Sequence, residues 1–147
     1  MQRAAGLRVA EAVHLQARCI EPDGTKVILT GTGIHTKGRK EREIPVMPKY
    51  QEFVRQLREQ GMTHEDGHVF VHRQTLTRAY GREVSALCAR LKITSGSGSH
   101  SFRKTWSGEY YRYLCGQGLS SKEARRQVTA ALGHNRLNVL RHYLTAA

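Results

Sequence analysis

Residues 99–144 read SHSFRKTWSGEYYRYLCGQGLSSKEARRQVTAALGHNRLNVLRHYL, and this stretch decides the fold. It follows a flexible TSGSGS loop (94–99) and opens a helix near His100, along which Phe102, Trp106, Tyr110 and Tyr113 or Leu114 recur as one apolar stripe to about Cys115. Gly116 and Gly118 close that helix. Ser120 and Glu123 then form a capping box for a second helix, whose Ala124, Val128, Ala131 and Leu132 face inward and which stops at Gly133. His100 and Arg103 lie three apart on a shared helix face, where they can converge on a small anion. His134 sits just past the second helix. Tyr143 comes nine residues later, a separation of roughly 13–14 Å along a straight helix, so a shared site needs a break. Asn138 is a suitable cap for a new short helix carrying Tyr143.

Upstream, residues 1–16 have helical spacing through Leu7, Ala10 and Val13 or His14, with no convincing cap. Arg8 and Glu11 are three apart within GLRVAE, which by itself reads as a weak surface ion pair. The period then changes. LQARCIE (15–21), KVILTG (26–31) and IHTKGRKEREIPV (34–46), separated by turns containing glycine, predict a three-stranded antiparallel sheet. Its last turn carries Lys37, Arg39 and Lys40, and a basic hairpin tip of this kind can place an ammonium near a phosphate. Pro48 opens a helix with Tyr50, Phe53, Val54 and Leu57 as core residues, ending at Gly61. His64-Glu65-Asp66-Gly67-His68 matches the HExxH zinc pattern in letters only, because its Asp-Gly pair predicts a turn, with VFV (69–71) following as a short strand. Residues 75–91 form an amphipathic helix with Leu76, Tyr80, Val84, Leu87, Cys88 and Leu91 on one face. The predicted fold class is therefore α+β, mainly helical, with a small sheet near the N-terminus.

At 147 residues and 39% hydrophobic, the chain is the size of one domain. Three scattered cysteines argue for reduced thiols rather than a disulfide framework. There is no apolar run long enough for a membrane helix and no signal-peptide pattern, which points to the cytoplasm or nucleoid. A net charge of +12, spread over every segment, points to a polyanionic partner such as the nucleic-acid backbone.

Taken in order, GLRVAE with Arg8, TKGRKER with Lys37, HSFR with His100 and Arg103, LGH with His134, and Tyr143 resemble the catalytic domain of the tyrosine recombinases, the phage integrase family. The resemblance runs from Gly6 to Leu144. It implies a recombinase catalytic domain over 1–147, cleaving and rejoining duplex DNA through a 3′-phosphotyrosyl intermediate with no metal or other cofactor. Carried over position by position, it implies Arg8 and Arg103 as charge stabilisers, Tyr143 as nucleophile, Lys37 as general acid with Lys40 as the alternative, His100 in proton management, His134 as a phosphate ligand and Glu11 as an orienting group. Family members usually have a DNA-gripping domain upstream and a docking segment after the tyrosine, so the chain is expected to be a fragment. At full length, the expected partners are double-stranded DNA and further recombinase protomers in a tetramer. A catalytically impaired DNA-binding remnant and a type IB topoisomerase-like strand transferase are the alternative readings.

Overall fold

A computed structural model describes residues 1–30, 41–71, 73–91 and 99–134. The first helical stretch is not continuous. It splits into α1 (Gln2–Ala5) and α2 (Val9–Val13), because Gly6 takes a left-handed conformation at φ 59° and turns the chain. The reason lies a hundred residues away. Trp106, fully buried, places its ring against Gly6, where a Cβ would overlap it. Burying an indole contributes about 4–6 kcal/mol, which outweighs the cost of interrupting a short helix.

The first of the three predicted strands, 15–21, also takes another form. Residues 17–19 coil into a single 3-10 turn, and the strand-type pairing of the segment is limited to isolated bridges, Gln16 to His68 and Ile20 to Val27, among the described residues. The described sheet thus has two antiparallel strands, β1 (Lys26–Leu29) and β2 (Arg42–Pro45), in a register that pairs Leu29 with Arg42 and Lys26 with Pro45. A 3-10 turn at Pro48–Tyr50 leads into α3 (Gln51–Met62), followed by α4 (Arg73–Arg90), α5 (Ser99–Gly116) and α6 (Ser121–Ala131).

Periodicity located most of the core. Trp106, Tyr110 and Leu114 of α5 are buried, as are Ala124, Val128, Ala131 and Leu132 at and beyond the end of α6, and Ser120 accepts from the Glu123 backbone N–H at 3.3 Å as a cap. Three expectations fail at the surface. Phe53 is 50% exposed, Leu87 45% and Leu91 60%. Val69 is buried but 69–71 form no strand. The HEDGH segment is a turn, with Asp66 accepting from Arg73 at 2.5 Å and from the His68 backbone N–H. No described helix is long and apolar enough to cross a membrane.

Packing brings the two halves together: α1 lies on α5, α2 on α4, and α6 against both α5 and β2. Gly6 and Gly67 both have positive φ, but no atom lies within 4 Å of a Cβ built on Gly67. Gly6→Ala is therefore expected to lower stability by roughly 2–5 kcal/mol, adding overlap with Trp106 to backbone strain, and Gly67→Ala by only about 1–2 kcal/mol. Urea unfolding of the two variants measures the difference; equal losses would contradict the role of Trp106.

Candidate active site

The site is built on two chain reversals, one at Gly6 and one at Gly133. Where Gly6 breaks the first helix, Arg8 becomes the residue that caps α2, and Glu11, three residues on, turns back to accept the Arg8 backbone N–H at 2.8 Å. The Arg8 guanidinium donates to the other carboxylate oxygen at 2.6 Å. This is no surface pair, because the Glu11 side chain is 0% exposed and that of Arg8 23%. Arg42, the first residue of β2, donates to Glu11 Oε2 at 2.6 Å with only 6% of its side chain exposed. Arg103 of α5 lies 3.9 Å from the same oxygen. Burial alone would push the Glu11 carboxyl up, but the Arg42 charge and the Arg8 hydrogen bonds overcome that and hold it below its usual range.

Arg103 is buried as deeply as Glu11. One of its terminal nitrogens donates to the Gly6 carbonyl and the other to the Leu132 carbonyl at 2.5 Å, which fixes the guanidinium plane. Leu132 is the C-cap of α6, where outward-facing carbonyls favour a cation. Gly133, at φ 68°, then reverses the chain and delivers His134, whose backbone N–H donates to Thr129 at 3.0 Å. The imidazole titrates below its ordinary value. Burial is the first cause, and the positive charges of Arg103, Arg8 and Arg42 add to it against the opposing effect of Glu11.

Four residues singled out from the sequence therefore meet in one place: Arg8, Glu11, Arg103 and His134. His100 stands exposed in the first turn of α5, one turn before Arg103. Lys37, Lys40 and Tyr143 lie outside the described residues, as does the break expected at Asn138. Arg42 was missed. It was one cation in the run KGRKER, but the alternation in EREIPV carried a signal, since Arg42 and Ile44 fall on the same strand face and Ile44 is fully buried.

Chemically, the cluster sets three guanidiniums against one carboxylate, a surplus of two positive charges at the edge of the core. Such a surplus suits a phosphate-sized anion, which guanidiniums can grip through paired hydrogen bonds.

A family model described as the phage integrase family matches residues 1–147. Among curated relatives, the tyrosine recombinase XerC of Neisseria meningitidis serogroup C / serotype 2a is 28% identical over 138 residues, covering 94% of this chain and 42% of that protein. The chain thus spans less than half the length of that relative. Among solved structures, the XerA recombinase superposes with a TM-score of 0.69 at 16% identity over 97% of this chain and 49% of the other. The XerH site-specific recombinase, in a post-cleavage complex with a palindromic difH substrate, gives 0.66 at 21% identity over 97% and 39%.

The lowered His134 titration has a stability consequence. The unfolded imidazole takes up its proton near pH 6.5 and the folded one only below that, so the stability present above pH 6.5 is lost as the pH falls toward the folded-state value. NMR titration of the His134 ring should give a midpoint below 6.5, with a matching fall in urea resistance over the same interval. A midpoint at or above 6.5 would contradict the cationic surroundings described.

Proposed function

The chain belongs to the phage integrase family, and from that membership we propose that it is the catalytic domain of a DNA strand-breaking and rejoining recombinase, with Arg8, Lys37, His100, Arg103, His134 and Tyr143 as its working residues. The observation that carries this reading is the half-buried surplus of positive charge formed by Arg8, Arg42 and Arg103 around Glu11. A phosphodiester brings one negative charge, and its transition state gathers charge on the non-bridging oxygens, so fixed guanidiniums favour the transition state over the ground state.

In this mechanism the Tyr143 oxygen attacks phosphorus and the bond from phosphorus to the 5′ oxygen breaks, leaving a 3′-phosphotyrosyl bond. The phenolic proton passes to His100, and the leaving 5′ oxygen takes a proton from Lys37, with Lys40 as the second candidate on the same turn. Arg8 and Arg103 bracket the non-bridging oxygens, His134 donates a hydrogen bond to the phosphate, and Glu11 orients the arginines. Attack by a 5′ hydroxyl reverses every step, so the strand is rejoined without ATP or a metal. The substrate is duplex DNA, the longer protein works with other protomers, as a tetramer on DNA, and the compartment is the cytoplasm, at the nucleoid. Relatives of the same family are solved with DNA bound, including the XerH complex, which supports the choice of substrate.

A nicked suicide duplex, from which the short 5′ end diffuses away, tests the reading. The 147-residue chain should form a denaturant-resistant adduct, and Tyr143→Phe should form none. Binding to the same duplex should weaken steeply with salt, because it rests on phosphate contacts. Salt-dependent binding without an adduct would identify a DNA-binding remnant. Relaxation of supercoils without strand exchange would identify a topoisomerase-like enzyme. An adduct that survives Tyr143→Phe would refute the assignment of the nucleophile.

A further inference from the structure

We propose that Arg42 is a positioning residue, one that ties the strand leaving the basic hairpin to the Arg8–Glu11 pair and to the turn bearing His134. The inference deepens the recombinase reading and rests on it for the reaction it serves.

Three contacts converge on this one side chain. Its terminal nitrogen donates to Glu11 Oε2 at 2.6 Å, which connects it to the N-terminus of α2 and hence to Arg8. Its side chain also lies against Gly133, so close that a Cβ at that position would come within 2.5 Å of one terminal nitrogen and 3.3 Å of Cδ. Its backbone opens β2 opposite Leu29, directly after the segment holding Lys37 and Lys40. A shift of β2 is therefore felt at Glu11 and at the His134 turn through one side chain.

The pairing also decides where the Glu11 charge goes. Oε2 sits 2.6 Å from Arg42 and 3.9 Å from Arg103. With Arg42 removed, the carboxylate would close on Arg103 and neutralise a guanidinium that the reaction needs positive. Stability alone does not explain an arginine here. It is 6% exposed, beside the apolar Ile44, and its Nε is buried with no hydrogen-bond partner among the described residues. Replacing a buried ion pair by apolar side chains is often neutral or stabilising, so a charge kept at such a position points to a task other than holding the fold.

The test compares Arg42→Gln and Arg42→Lys with the parent chain by two readouts. The first is the NMR titration of His134 without DNA. The charged groups around that ring are Arg8 and Glu11 from α2, Arg42 from β2 and Arg103 from α5. Loss of the Arg42 charge should raise the midpoint, and Arg42→Lys should return it toward the parent value. A purely structural role would change the unfolding midpoint and leave the titration of the folded protein alone. The second is single-turnover adduct formation on the suicide duplex. Arg42→Gln should slow it about 10- to 100-fold through misplacement, and lysine should recover only part of the rate because it cannot bridge two partners. If Arg42→Gln does not fold, Arg42→Met keeps the stem on Gly133 while removing the charge. A folded variant with the parental His134 midpoint, or with the parental cleavage rate, overturns the proposal. If the parent chain itself forms no adduct, the recombinase reading fails, and the titration still decides whether Arg42 controls the His134 turn.

Discussion

A single buried carboxylate organises the structure around the site. Glu11 has no exposed surface, and three arginines from three separate elements compete for its two oxygens. A carboxylate so placed would be strongly penalised without compensating charge, by about 3–5 kcal/mol for a buried pair. The cost keeps α2, β2 and α5 in register with one another. It also explains why the cluster is cationic overall: one negative charge is enough to bind the elements together, and the excess is left for an incoming anion.

Local signals in the sequence were read well where local physics governs. The helix from Ser121 to Ala131 was legible because its capping box and its apolar positions lie within a few residues of one another. The Trp106, Tyr110 and Leu114 stripe was legible for the same reason. The N-terminal helix was not, since its break depends on an indole a hundred positions later, and nothing between Met1 and Gln16 announces that contact. The first predicted strand, 15–21, failed similarly. Residues 17–19 have the composition of a strand, but the chain makes one bridge at each end of them and coils between.

The site shows the same division. Arg8, Glu11, Arg103 and His134 were found from their order and residue types, although the pairing of Arg8 with Glu11 reads as a trivial surface contact until Glu11 is seen to be buried. Arg42 was hidden by its neighbours, because in a run with Lys37, Arg39 and Lys40 one more cation carries little information. Its burial and its alignment with Ile44 on the inner face of a strand are what mark it out.

The two carbonyls that hold Arg103 come from Gly6 and Leu132, 97 and 29 positions away in sequence. Contacts of such separation close large loops and are made late as a chain folds. An incomplete chain still emerging from the ribosome, or one unfolded at either end, therefore has the arginine without its cradle. Competence of the candidate site is in this way a report on the integrity of the whole domain.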